Sequence, residues 1–500
     1  MFIKIMEECF FRGKSMKKTS FLSVILLLLF IFTLGTFLRF HELGEESIWV
    51  DEAFTDHYIS GSWSDILTFL KKDVHPIGFY ALEYWWTEHF GNSEFSLRFL
   101  PSIFGSLSIL FFFFAVRELY DRKTALLSML FFSLSYTFIL YSQEAKMYAQ
   151  FIFFFLVVFL FLVMFLRKPS WLNGVLLAIA NIGLLHTHIL SVPIIAIEVF
   201  LYVLAYILFK KHGEDIFFLF FKKKAHYDLS RFLLTMSFVA FSYFFWLPVF
   251  YYQFHRLFLD MLPLKFNQKF GFDGFYMVML IAVIGVAAAV SACFYFSSNK
   301  RLYLQVKNFL ARLSFSKAFF VIIFVVWLGV NLFYHRHFFG NLFYVRYLLF
   351  LFPFWHIIMA RKLFTMPRRA FCLLLILYLA VTSFVLFQYY SLDGKEQWRE
   401  ASEYVTKEAG VNDVLLFHTV GHTHWSFNYY YSGLVPQVKL KSKNDVMKIS
   451  SALEGKEQAF LILSHNYETK EYFKEVMDRQ YWLVESKEFI GVKVYRYRVS

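Results

Sequence analysis

The sequence lacks the polar surface that a soluble domain of its length requires. Charged residues make up 17% and hydrophobic residues 58% of the 500, and the mean hydropathy is +0.51. Soluble domains average less apolar content. Cysteine is scarce as well. Cys9, Cys293 and Cys372 are the three present, all in or near ends assigned below to the cytoplasmic side, so a structural disulfide is not expected. No internal repeat and no low-complexity linker interrupts the chain. Acids are nearly absent from the centres of the apolar runs, Glu198 being the main exception. That absence argues against a channel or pump, which more often sets ionisable groups deep in its spans. The net charge of +13 would raise nucleic acid as a partner of a soluble protein. Here topology accounts for it, and no nucleic acid is expected.

What is present is a series of apolar runs of about 18–22 residues, the length that crosses hydrocarbon as a helix. Roughly eleven spans are expected, near 21–38, 98–116, 124–142, 148–166, 171–187, 189–209, 231–250, 274–296, 317–334, 346–360 and 370–388. Lys14, Lys17 and Lys18 precede the first, and Arg39-Phe40-His41-Glu42 follows it. It therefore reads as a retained signal anchor, with Met1 and Met16 both candidate starts. Alternate loops are basic, for example Arg117, Arg122 and Lys123, then Arg361, Lys362, Arg368 and Arg369. By the positive-inside rule these face the cytoplasm, which puts the N-terminus inside and the C-terminus outside. One miscounted span would reverse the tail.

The expected domains are 1–390, a membrane domain, and 391–500, a small soluble extracytoplasmic α/β domain. The first outer loop, about 40–97, reads as two amphipathic helices. Ser64-Asp65 caps one; Pro76 starts and Gly91 ends the other. In the tail, 414–417 and 459–463 read as buried strands, 400–407 and 468–479 as helices, and 482–484 with 492–495 as a closing strand pair.

Chemistry is carried by a few short constellations. Trp49-Val50-Asp51-Glu52-Ala53 follows the first span closely. Its adjacent acids point in different directions from an extended backbone, so one can accept a proton while a base or metal holds the other. The plainer reading is helix capping. Asp73-Val74-His75-Pro76 offers a histidine for a phosphate or sugar oxygen, for a metal, or as a simple cap. Tyr141-Ser142-Gln143-Glu144-Ala145-Lys146-Met147-Tyr148 joins two spans, and helical spacing puts Tyr141, Glu144 and Tyr148 on one face. Charge there is functional or a simple Glu144–Lys146 ion pair. His186-Thr187-His188 is a helix end or half of a metal site, with no third ligand evident. Arg336 and Arg346 flank a late outer loop, where arginine holds phosphate or snorkels. Topology delivers all these groups to one outer surface, where a lipid-linked substrate presents its headgroup.

These residues carry a resemblance. Trp49 to Ala53, His75-Pro76 with Tyr80, and Ser96-Leu97-Arg98-Phe99-Leu100-Pro101-Ser102 resemble the first loop of the dolichyl-phosphate-mannose protein mannosyltransferase-like GT-C glycosyltransferases. That superfamily includes bacterial aminoarabinose transferases and lipopolysaccharide galacturonosyltransferase-like proteins. Gln143 to Tyr148 is similar to its Q-E-A-R-M-Y segment, Arg346-Tyr347 to its late R-Y, and Gln397-Trp398-Arg399-Glu400 to its soluble domain. The resemblance implies a helical GT-C fold in a bacterial cytoplasmic membrane. It implies transfer of a hexosyl or pentosyl group from a polyprenyl-phosphate donor to a lipid, glycan or protein acceptor, with inversion. Asp51 would be the general base and Glu52 would orient the acceptor or a cation. Lys146, Arg346 and His75 would offset the phosphate, with Glu144, Tyr148, His186 and His188 around the substrate. Some members use a divalent metal ion and others none, and spacing decides neither. Two departures stand out: Lys146 replaces the usual Arg, and Ile77-Gly78 replaces Pro-Leu. The competing functions are a lipid or ion transporter or flippase, and a non-catalytic membrane protein whose outer domain binds a partner.

Overall fold

The computed structural model describes residues 18–212, 224–254, 345–392, 394–418, 423–464 and 469–499. The expected spans at 274–296 and 317–334, and Arg336, lie outside these residues. The chain opens with helix α1 (Lys18–Phe40). The loop after it holds α2 (Val50–Ile59), α3 (Trp63–Lys72) and α4 (Gly78–Phe90). Then follow α5 (Glu94–Leu119), α6 (Arg122–Ser133), α7 (Tyr136–Ser142), α8 (Tyr148–Arg167), α9 (Trp171–Leu185), α10 (Ser191–His212), α11 (Leu229–Ser242), α12 (Leu247–Phe254), α13 (Phe352–Phe364) and α14 (Arg368–Ser391).

Every expected span among the described residues coincides with helix, but not every one is a long straight helix. Among the described residues, five helical segments are long and apolar enough to cross a membrane, and a sixth qualifies if α6 and α7 count as one. Eleven spans are therefore not established. α9 has 15 residues and α13 has 13. The 124–142 run is broken, with α6 and α7 meeting at 59°. At the break, Arg39 Nη1 donates to the Ser133 carbonyl (3.1 Å), giving a helix-end acceptor a partner. Ser102 Oγ in α5 donates to the Ser142 carbonyl (2.9 Å), tying α5 to the end of α7.

The first outer loop has three helices instead of two. The additional one, α2, has mixed composition and little amphipathic signal, so hydropathy does not reveal it. The cap of α3 is Ser62, not Ser64: Ser62 Oγ accepts from the Asp65 amide, and Asp65 Oδ2 accepts from the Ser62 amide (2.9 Å). Gly91 ends α4 at φ +75°, a conformation that favours glycine.

Beyond residue 392 a small sheet domain is built from α15 (Trp398–Glu408), β1 (Val414–His418), α16 (His424–Tyr430), β2 (Gln437–Leu440), α17 (Val446–Leu453), β3 (Gln458–Ser464), α18 (Thr469–Gln480), β4 (Trp482–Phe489) and β5 (Val492–Arg498). The strand order is β2-β1-β3-β5-β4, with β1 parallel to β2 and β3, and β5 antiparallel to β3 and β4. Trp398 and Val405 of α15 and Phe427 of α16 cover one face. Ile449 and Leu453 of α17, and Phe473 and Met477 of α18, cover the other. The apolar strands and the closing pair fall where the sequence put them. β2, α16 and α17, of four to eight residues each, are too short to stand out in it.

The domain is clamped to the first loop. Arg399 pairs with Glu94 (Nη2 to Oε1, 2.5 Å), Tyr430 Oη donates to Glu94 Oε1 (3.0 Å), and the Ile48 amide donates to Tyr430 Oη (2.7 Å). Trp425 of α16 stacks on His57 of α2 with ring centres 4.0 Å apart. The loop and the sheet domain therefore share one side of the molecule, whatever the number of spans between them.

Candidate active site

Asp51 and Glu52 stand in the first turn of α2, not on extended backbone. Trp49, itself extended, is the residue before the helix, and Glu52 faces back toward its amide (3.5 Å). Helical geometry turns consecutive side chains by about 100°, so the acids still diverge. Glu52 points inward and is fully buried, while the Asp51 side chain is 30% exposed.

Glu52 is the anchor of a buried network. Arg98 of α5 grips it bidentately, Nε to Oε1 at 2.8 Å and Nη2 to Oε2 at 2.7 Å. The remaining guanidinium donors reach the carbonyls of Leu43 (3.0 Å), Glu46 (2.9 Å) and Ser47 (3.0 Å). The Ala145 amide donates to Glu52 Oε1 (2.9 Å), and Lys395 Nζ lies 3.3 Å from both carboxylate oxygens. Burial pushes the Glu52 carboxyl up, but Arg98 and Lys395 outweigh it and bring it down to about 2. A saturated carboxylate of this kind is held by bases and has no accessible edge for an acceptor.

Asp51 faces the other way. Its Oδ2 accepts from Arg346 Nη1 at 2.6 Å, and the same Nη1 lies 2.8 Å from Tyr148 Oη. Segments 295 and 198 residues apart from Arg346 thus meet at one guanidinium.

The 143–147 segment is a tight bend between α7 and α8, so Tyr141, Glu144 and Tyr148 do not share a continuous helix. The bend still brings the Tyr141 and Tyr148 rings to 5.2 Å. Among the described residues, no ion pair joins Glu144 to Lys146; the Lys146 amide instead donates to the Glu144 carbonyl (2.7 Å). Glu144 is 6% exposed and its Oε2 is buried without a hydrogen-bond partner. Burial pushes its carboxyl up to about 7, against the pull of Lys395. Lys146 is 7% exposed, with Nζ 5.9 Å from the Phe54 ring centre. It enters no ion pair among the described residues. Burial pulls its ammonium below the ordinary value, opposed chiefly by the field of Asp51.

His75 lies before α4, not within it. Its ring meets His188 at 4.7 Å between centres, and His188 meets Tyr148 at 6.2 Å. Burial takes His75 down to about 3, with Lys146 adding to the effect. His188 is driven well below its ordinary value by burial and by His75. Both rings are neutral near pH 7, so His75 offers a hydrogen bond and not a positive charge. His186 is turned elsewhere: its ring lies 5.4 Å from Tyr243, and its carbonyl accepts from the Gly78 amide (2.7 Å). A Cβ at Gly78 would come within 2.5 Å of that carbonyl, so the Ile77-Gly78 departure is what lets α4 start against the 186–188 turn.

Two residues to which the sequence alone assigns no role of their own join the site. Asp73 Oδ2 accepts from Tyr80 Oη (3.0 Å) and lies in the field of Lys146. Lys395 reaches Glu52 from the far end of the chain. The D-x-H spacing was a usable signal for Asp73; nothing local signals Lys395. Among the described residues, no group of three or more His, Cys, Asp and Glu is arranged to hold a metal ion.

Fold and site together define an integral membrane protein with several helices long and apolar enough to span, a small sheet domain, and a polar centre where the first loop and the 143–147 bend meet the ends of those helices. Residues 74–236, about a third of the chain, match the family model described as dolichyl-phosphate-mannose-protein mannosyltransferase. The resemblance read from the sequence is borne out. Among solved structures, the Archaeoglobus fulgidus oligosaccharyltransferase in the apo form is similar with a TM-score of 0.51 at 12% identity, over 95% of this chain and 74% of that one. ArnT from Cupriavidus metallidurans bound to undecaprenyl phosphate is similar at 0.47 and 12% identity, over 94% and 97%. At such identities the likeness is one of fold. No curated protein sequence matches the chain.

Proposed function

We propose that the chain is a glycosyltransferase that moves a sugar from a polyprenyl-phosphate donor to a hydroxyl of a lipid, glycan or protein acceptor at the extracytoplasmic face of the membrane. The observation that carries this reading is the pairing of Asp51 with Arg346 beside Lys146, a buried ammonium with no ion-pair partner among the described residues. An acid next to surplus positive charge, on loops at the ends of spans, suits a lipid phosphate leaving from a sugar. The matched family model names a lipid-phosphate sugar donor and supports the same reaction class.

In the proposed reaction the acceptor hydroxyl gives its proton to Asp51 as its oxygen attacks the anomeric carbon. The bond from that carbon to the phosphate oxygen breaks, and the electron pair leaves with the phosphate. Attack opposite the leaving group inverts the centre. Asp51 Oδ2 is held by Arg346, while Oδ1 takes no hydrogen bond among the described residues and is the proton acceptor. Arg346 places a guanidinium charge beside Asp51, and Lys146 adds a point charge; together they offset the charge of the leaving phosphate. Neutral His75 and Tyr148 donate hydrogen bonds. Glu52 positions Asp51 and the 143–147 bend, and Glu144 lies at the edge of the phosphate's field.

The test is a transfer assay in membranes with several polyprenyl-phosphate sugars, comparing wild type with Asp51→Asn and Glu52→Gln. Loss of a general base costs about 10²–10⁴-fold in rate, and Asp51→Asn is expected to fall in that range with donor binding retained. Full activity in Asp51→Asn would overturn the assignment of the base.

A further inference from the structure

We propose that Lys395 is a positioning residue for the transfer centre, coupling the C-terminal sheet domain to the carboxylate that holds the 143–147 bend. The proposal rests on the glycosyltransferase reading for its kinetic consequence, though not for the coupling itself.

The linker that carries Lys395 is fixed at its backbone. Glu46 Oε1 accepts from the amides of Gly394 (2.7 Å) and Lys395 (3.2 Å). One turn later, Arg399 donates to the Glu45 carbonyl (2.9 Å), and its amide donates to Ser47 Oγ (3.1 Å). With both ends pinned, the Lys395 side chain passes into the membrane domain, where it is 10% exposed. Its Nζ lies 3.3 Å from each oxygen of Glu52 and donates to the Gln143 carbonyl at 3.1 Å. It therefore touches the acid of α2 and the first residue of the bend at once.

Charge balance shows that this contact is not needed to neutralise Glu52. Arg98 alone does that with a bidentate grip. Burying a second cation on the same carboxylate costs desolvation that one shared anion cannot repay. Two further acids share the load: Glu144, adjacent to the Gln143 carbonyl, and Glu46, whose Oε1 holds the Lys395 amide; Lys395 lies in the field of both. Lys395 thus contacts the acid that fixes the bend through Ala145 and feels the field of the acid that belongs to the bend, as well as that of Glu46. The bend presents Lys146 to Asp51. A shift there moves the phosphate charge relative to the base, and misplacement by ~1 Å costs roughly 100-fold in rate.

The test compares Lys395→Met and Lys395→Arg in the full-length protein. Turnover and amide hydrogen exchange at Ala145 are both measured, and folding is checked by gel filtration in detergent. For Lys395→Met, kcat is expected to drop roughly 100-fold with donor KM changed less than about threefold, and the Ala145 amide to exchange at least ~10-fold faster. Lys395→Arg should restore most of both. Wild-type kcat and wild-type exchange in Lys395→Met would overturn the proposal. So would equal loss of folded protein in both variants, which marks a structural staple. If wild type transfers no sugar from any donor, the glycosyltransferase reading fails, and exchange at Ala145 alone decides the coupling.

Discussion

At the scale of residues, the two adjacent acids show how one dipeptide serves two purposes. Glu52 is saturated by Arg98, Lys395 and the Ala145 amide. Asp51 is held through one oxygen, by Arg346, and in the proposed reaction the other takes the proton. The diverging directions were legible because any regular backbone separates neighbouring side chains, although the backbone here is helical. Which acid does which was not legible, because the deciding partners arrive from residues 98, 346 and 395. A second consequence concerns protons. Glu144 stands at about 7 because burial disfavours its charge. A phosphate bound beside Lys146 adds negative charge, which raises that value further. Binding of polyprenyl phosphate near pH 7.5 is then expected to take up a proton, by as much as about one per site. Calorimetry in buffers of different ionisation enthalpy measures this. The uptake should vanish in Glu144→Gln, and a buffer-independent heat in wild type would place Glu144 outside the phosphate's field.

At the scale of elements, apolar length made the spans readable, and turn chemistry made α4's end readable at Gly91. Hydropathy sees neither the break between α6 and α7 nor the helix α2. The first depends on Arg39 reaching the Ser133 carbonyl, and the second on packing of a mixed sequence beneath the sheet domain. Gly78 is the element-scale residue that matters most to the site. A methyl group there would press on the His186 carbonyl at 2.5 Å and threaten the amide bond that joins α4 to the 186–188 turn. Gly78→Ala is expected to destabilise by about 1–3 kcal/mol, the usual cost of overpacking. It should also displace His188 from His75. Thermal unfolding in detergent reads the first effect, and donor KM the second. An unchanged melting temperature would show that the 186–188 turn relaxes freely.

At the scale of the whole molecule, parity of the spans was the weak point of any topology drawn from hydropathy. Contacts replace the count. Arg399 with Glu94, and Lys395 with Glu52, put the sheet domain on the same side as the first loop. The positive-inside rule, applied to the basic loops, predicts that this side is outside. Leu434 is almost fully exposed on the sheet domain. With Cys9, Cys293 and Cys372 replaced by serine, Leu434→Cys is expected to react with a membrane-impermeant maleimide in intact cells or spheroplasts. Labelling only after permeabilisation would invert the orientation and with it the side on which the acceptor is met. The similarity in fold to an archaeal oligosaccharyltransferase constrains none of this, since a scaffold can carry several chemistries.

The clamp on Glu52 also has a consequence for how the protein comes into being. The acids emerge first from the ribosome, and their partners follow much later: Arg346 is 295 residues behind Asp51, and Lys395 is 343 behind Glu52. Until those segments are synthesised and inserted, the bend that carries Lys146 has only part of its support. A nascent chain therefore holds both acids but no finished centre, and, on the proposed function, a messenger cut short anywhere before the sheet domain is expected to yield a membrane protein without transfer activity.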